Sequence, residues 1–175
     1  MRSFSPHRYD DRMDRIWAPW RGEYVKKIPE TKGCFLCEAA QGTDDRAALV
    51  AARRGRVFVV LNRYPVGNGH LMVCPYAHGG DLAALADDVL SEMMATARDL
   101  CGVLKEGLRA EGFNLGFNIG RVGGAGLADH LHLHVLPRWP GDANFMLVLN
   151  EARVINQSLD GLWEMLSERL AARWR

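Results

Sequence analysis
Apolar positions change their spacing several times along this chain, and each spacing predicts an element. Val57-Phe58-Val59-Val60-Leu61 is a continuous apolar run with three β-branched residues, the pattern of a buried strand. Asn62 to Gly69 is rich in turn residues. His70-Leu71-Met72-Val73-Cys74 follows as a second strand closed by Pro75, so the two runs read as a hairpin with a long loop. Behind Asp81, a predicted N-cap, Leu82, Leu85, Val89, Met93, Ala97, Leu100, Leu104 and Leu108 recur at spacings of three and four. This stripe predicts one long amphipathic helix over roughly residues 81–110, ended by Gly112. Phe113 to Ile119 alternates as a strand, and residues 120–128 form a glycine-rich loop. A second helix near 158–173 carries Leu162, Leu166 and Leu170.

The most regular alternation lies between Asp129 and Arg138. His130, His132 and His134 occupy every second position, with Leu131, Leu133 and Val135 between them. On one strand, alternate side chains share a face. Three imidazoles then line one side, roughly 6.5–7 Å apart at the base, while the aliphatics anchor the other. The order hairpin, long helix, strand, glycine loop, strand predicts an α+β domain, an antiparallel sheet with helices on one face. The pattern does not alternate βαβα, which disfavours a parallel Rossmann-type sheet.

Composition adds limits rather than a function. The 175 residues are 48% hydrophobic and 25% charged, with net charge +1; this suits an ordinary globular domain and gives no electrostatic reason to expect nucleic acid or a membrane as partner. No apolar signal region opens the chain and no apolar window is long enough to span a bilayer. Residues 1–15 are almost all polar and are expected to form a flexible arm before a single domain over 16–175. Trp17 and Trp20, flanking Pro19, are expected to dock onto the core or a second subunit. Cys74 and Cys101 sit in apolar segments as packing residues, while Cys34 and Cys37 form one C-x-x-C in a loop; this usage points to a reducing cytoplasm.

The C-x-x-C alone leaves several readings open. It can be a redox pair, or simply two reduced surface thiols. With His78 and His130 it makes a Cys2His2 set, which is a closed tetrahedral zinc site of structural type. In a rival arrangement, His130, His132 and His134 share one open metal and run metal-assisted hydrolysis.

The run His130-Leu-His132-Leu-His134-Val-Leu resembles the signature of the histidine triad (HIT) superfamily of nucleotide hydrolases and transferases. Asn62 after the first strand, Gly69-His70 opening the second and Asn118 before the glycine loop support the resemblance, which covers a core of about residues 33–138 and leaves 139–175 as a C-terminal extension. Trp17-Ala-Pro-Trp-Arg21, the C-x-x-C and the stretch Trp139 to Phe145 look like the bacterial branch related to dinucleoside tetraphosphate (Ap4A) phosphorylases and hydrolases.

The resemblance implies a homodimer in which His132 attacks an α-phosphorus and forms a nucleotidyl-histidine. Water or phosphate then resolves it, and His134 serves the phosphate oxygens and leaving group. It also implies structural Zn2+ on Cys34, Cys37, His78 and His130. An adenine nucleotide would sit against Phe35, Leu36 and Leu61, with Asn62 on the ribose and Asn118 on the phosphate side. The backbone of Gly124, Ala125 and Gly126 would cradle anionic oxygens. The loop before the triad, Gly123-Gly124-Ala125-Gly126-Leu127-Ala128, lacks the Gln, Ser or Thr that many relatives place there. Side-chain contacts to phosphate would therefore fall to Arg121 or Arg138. A nucleotide-binding regulatory module with weak turnover is the alternative from another class.

Overall fold
The computed structural model describes residues 33–142 and 157–175. The expectations for residues 1–15, for Trp17 and Trp20, and for residues 143–145 lie outside these segments. Helix α1 spans Phe35–Gln41, and strands β1, β2 and β3 span Val50–Arg54, Val57–Leu61 and Leu71–Pro75. Helix α2 spans Asp87–Leu108, β4 Gly112–Phe117, β5 Leu133–Arg138 and α3 Leu159–Arg173. All neighbours in the sheet are antiparallel, in the order β1-β2-β3-β5-β4. The fold is therefore α+β, with a long helix and a C-terminal helix, as the pattern predicts. Among the described residues, no helix is long and apolar enough to cross a membrane.

Every residue of β2 and β3 is buried, which explains their unbroken apolar runs. Val89, Met93, Ala97, Leu100 and Leu104 form the buried stripe of α2, and Leu162, Leu166 and Leu170 form that of α3. Both helices join the sheet in one core. Trp163 Nε1–H donates to the Val50 carbonyl at 2.7 Å, fixing α3 to the outer strand.

Several boundaries differ from the pattern-based expectation. The C-x-x-C is not a loop: Cys34 is the N-cap of α1 and Cys37 lies in its first turn. The stretch before β2, which reads as a polar lead-in, contains β1. Its Ala51-Ala52-Arg53-Arg54 carries no β-branched side chain, so tertiary pairing rather than propensity makes the strand. Asp81 does cap, accepting from Ala83 N–H at 2.9 Å, but it caps a single 3-10 turn at Leu82–Ala84; α2 starts five residues later. It ends at Arg109, which adopts the left-handed conformation at φ 54°, while Gly112 opens β4.

The largest correction concerns the histidines. β5 begins at Leu133, so His130 and His132 lie on an unpaired lead ahead of the ladder, His130 at a bend. Only His134 is a strand residue, opposite Met72 on β3 and Gly116 on β4. Alternation describes where side chains point; it does not record whether the backbone is hydrogen-bonded to a neighbour.

Candidate active site and metal centre
One face of the β3–β5 region carries His70, Met72 and His134, and the lead adds His132. Gly69 places His70. It takes φ +71°, and a Cβ there would stand 2.8 Å from Leu108 Cδ1 and 3.0 Å from Pro137 Cγ, so only glycine allows this approach. His70 is buried.

The hydrogen bonds assign a tautomer to each ring. His132 Nδ1–H donates to the carbonyl of His130 at 2.9 Å. In the neutral imidazole this leaves the lone pair on Nε2. Val66 N–H donates to His70 Nδ1 at 3.2 Å, so His70 carries its proton on Nε2. That nitrogen meets His134 Nδ1 at 2.9 Å, so His134 Nδ1 accepts and its proton sits on Nε2. His134 Nε2 is buried, with no hydrogen-bond partner among the described residues. A buried donor without an acceptor costs about 1–3 kcal/mol, which an anionic oxygen placed there would offset. The His132 and His134 rings meet edge to face at 4.9 Å between centroids. The result is a nucleophilic nitrogen beside a preset N–H donor.

Burial holds both rings neutral. It lowers the His132 pKa from its ordinary value against the opposing pull of the His130 carbonyl. It lowers that of His134 to about 4, helped by the neighbouring His132.

His130 turns elsewhere. Fully buried, it donates from Nε2–H to the Pro75 carbonyl at 2.9 Å. Its Nδ1 lone pair then faces Cys34 Sγ at 3.2 Å and Cys37 Sγ at 3.5 Å. His78 Nδ1 lies 3.3 Å from Cys37 Sγ. The donor atoms of these four residues all fall within 4.8 Å of one another. Two thiols and two imidazoles fit a tetrahedral d10 cation. The Pro75 carbonyl acts as the outer partner that fixes a ligating histidine's tautomer. Burial and the adjacent Cys34 raise the Cys37 pKa, a crowding that a divalent cation would reverse. Arg53 braces this centre from behind. Its guanidinium donates to the carbonyls of Ala39, Ala40 and Gly42 at 2.6–3.0 Å and to Asp45, which ties the end of α1 to β1. The three histidines thus do not converge on one open metal.

The other expected residues fall out unevenly. Phe35 is 52% exposed, whereas Leu36 and Leu61 are buried in the core and back the surface rather than line it. Asn62 Oδ1 accepts from Tyr64 N–H at 2.9 Å, shaping its own turn. Asn118 Nδ2–H reaches the Gly124 carbonyl at 3.4 Å. The Gly124 and Ala125 N–H groups donate to the Arg121 and Gly120 carbonyls, so these two do not present an anion cradle in this conformation. Gly126 is exposed in the same loop, and so are Arg121 and Asp129. Arg138 is engaged by Asp142 and Asn114, which removes it from the phosphate. The residue that pattern reading left without a role is His70. Its signal in the sequence is a histidine just ahead of β3, two positions before Met72.

Comparison with known proteins agrees with this geometry. The HIT domain family model matches residues 45–141. The chain is 38% identical over 168 residues to the AP-4-A phosphorylase of Mycobacterium tuberculosis, an alignment covering 92% of this chain and 86% of that protein. The chain belongs to the HIT family. An adenosine 5'-monophosphoramidase of Candida albicans is 27% identical over 63% of this chain and 80% of its own. Among solved structures, a zinc-bound histidine triad protein from Mycobacterium smegmatis superposes with a TM-score of 0.66 at 24% identity, covering 81% of this chain and 95% of that one; at that identity it supports the fold. That superposition agrees with the antiparallel α+β architecture described above.

Proposed function
We propose that this protein is a nucleotidyl hydrolase or transferase that cleaves a dinucleoside polyphosphate of the Ap4A type, or a related AMP donor, through a covalent intermediate on His132. The observation that carries the reading is the His132 Nδ1–H bond to the His130 carbonyl. It leaves Nε2 unprotonated beside the buried His134 Nε2–H. The Nε2 lone pair forms an N–P bond to the α-phosphorus, and the P–O bond to the departing nucleotide breaks with its electron pair. The His134 Nε2–H bonds a phosphate oxygen as charge builds. An oxygen of water or phosphate then attacks the same phosphorus, the N–P bond breaks, and the imidazole is recovered. Splitting one displacement into two through a labile phosphoramidate is the gain.

The reading extends to the other parts of the site. Cys34, Cys37, His78 and His130 hold Zn2+ as a structural ion, a closed set with no position for a reacting water. Phe35 offers the exposed apolar surface for the adenine, Leu36 and Leu61 support it from behind, and Asn62 reaches the ribose. Asn118, Gly124, Ala125 and Gly126 flank the phosphates once the loop adjusts, with Arg121 the nearby cation. The protein acts as a homodimer; the outer edge of β4 has no strand partner among the described residues, and Leu115 on it is 44% exposed, a surface that needs a cover. The reducing cytoplasm suits two thiolates reserved for metal.

Product analysis on Ap4A with and without phosphate tests the activity. Phosphorolysis yields ADP and ATP only when phosphate is present; hydrolysis through the same intermediate yields AMP and ATP without it, and two ADP would mean attack at a β-phosphorus and contradict the AMP–histidine intermediate. No cleavage of Ap4A or of an AMP phosphoramidate in either buffer would leave the protein a nucleotide-binding module.

The pH dependence follows from the neutral rings. His132 attacks only when unprotonated, and its pKa lies below the usual 6.5. The single-turnover rate should therefore be flat across pH 7–8 and fall only below pH 6.5. An acid limb centred above 6.5 in stopped-flow or quench measurements would contradict this. Stability moves the same way. Between pH 6.5 and about 4 the unfolded chain protonates its histidines while folded His134 does not, so stability is lost as pH falls through that window.

A further inference from the structure
We propose that Gly80 is a positioning residue for His132. Its catalytic meaning rests on the reading above; its structural basis does not. Because the ladder of β5 starts at Leu133, residues 128–132 carry two of the three histidines without strand pairing. The segment at residues 78–80 holds this lead at three points. Leu131 N–H donates to the Gly79 carbonyl at 2.7 Å. His78 and His130 meet in the Cys2His2 cluster. Between them, the backbone of Gly80 lies flat on that of Ala128 and Asp129.

The flat contact leaves no room for a side chain. A Cβ on Gly80 would stand 2.1 Å from the Ala128 oxygen and 3.1 Å from Asp129 Cα. Both are main-chain atoms, so no rotamer change relieves the clash. The 128–129 segment would have to retreat by about 1 Å in a close-packed setting. The next residue is His130, whose carbonyl receives the His132 Nδ1–H at 2.9 Å. A shift there tilts the nucleophile without touching the substrate. Misplacement of about 1 Å at a reacting group costs on the order of 10²-fold in rate.

The experiment compares Gly80→Ala with Gly112→Ala in the metal-loaded full chain. At position 112 an added Cβ meets only Arg138 Cβ, at 3.6 Å, so this variant controls for the loss of glycine itself. Three quantities are read: AMP affinity, the single-turnover rate of adenylyl transfer onto His132, and the 15N-resolved NMR signal of the His132 Nδ1–H. Gly80→Ala is expected to keep its metal and its AMP affinity, to slow transfer about 10²-fold, and to lose or shift the Nδ1–H signal. Gly112→Ala is expected to match the unaltered protein. Unchanged transfer and an unchanged signal in Gly80→Ala would overturn the proposal. If the unaltered protein transfers no adenylyl group, the functional reading fails, and the NMR signal alone still decides the role of Gly80. A Gly80→Ala chain that does not fold would also overturn the proposal, since the residue would then be a requirement of the fold rather than of the position of His132.

Discussion

His132→Ala should lower adenylyl transfer by on the order of 10⁴–10⁶-fold, the range seen when the group that forms the covalent bond is removed from a multi-residue site. The reason is local. Among the ring nitrogens facing this part of the sheet, His132 Nε2 is the one left with a lone pair by a bond on the opposite nitrogen. The His70 lone pair accepts from Val66 N–H, and that of His134 accepts from His70 Nε2–H. Loss of His134 should cost less, about 10²–10³-fold, since it removes one donor to the phosphate rather than the bond-forming atom. Single-turnover kinetics with a radiolabelled AMP donor checks both, with acid-labile label on the protein as the mark of the intermediate. Metal content should be unchanged in His132→Ala, because this residue is outside the Cys34, Cys37, His78, His130 cluster. Persistent turnover in His132→Ala would end the covalent reading. Metal loss in that variant would instead revive an open site shared by the three histidines.

Chelation of the metal should destabilise the fold by about 4 kcal/mol when the free metal it replaces stood a thousandfold above Kd. For a chain of this length that is a drop of roughly 8–16 °C in the thermal midpoint. The loss falls on the junctions that the centre makes. Cys34 and Cys37 sit at the start of a short helix, His78 follows β3, and His130 belongs to the unpaired lead into β5. Without the ion, two thiols and two imidazoles remain crowded within 4.8 Å, with the Arg53 fork on the far end of α1 as the remaining brace. Differential scanning calorimetry with and without chelator measures the loss. Thiol alkylation provides a second reading, since Cys34 and Cys37 should react quickly only once the metal is gone, while buried Cys74 stays inert. An unchanged midpoint, with rapid alkylation in the presence of zinc, would show that the cluster does not hold a structural ion.

The fold was legible wherever burial is written in side chains. The apolar runs of β2 and β3 and the Leu stripe of α2 announce themselves, because each buries a continuous face. β1 was not legible. Its alanines and arginines have no strand preference, and the strand exists because β2 offers an edge and Arg53 finds the carbonyls at the end of α1. The cysteines and histidines group by chemistry in the sequence alone. What could not be read was which nitrogen of each ring is free, since the partners that decide it are the His130 and Pro75 carbonyls and the Val66 N–H. The glycine loop illustrates the opposite error. Its composition suggests an open cradle, yet the Gly124 and Ala125 N–H groups close the loop on itself.

That the groups setting these tautomers are main-chain atoms has an evolutionary consequence. A carbonyl or an amide N–H is present whatever side chain the residue carries, so no single codon change can delete the acceptor on which His132 rests. Drift at Val66 leaves its amide in place, provided proline does not arise there. Selection then has to guard backbone path rather than residue identity at these supports. Divergent lineages can therefore replace most of the surrounding side chains and still inherit a His132 ring whose free nitrogen is Nε2.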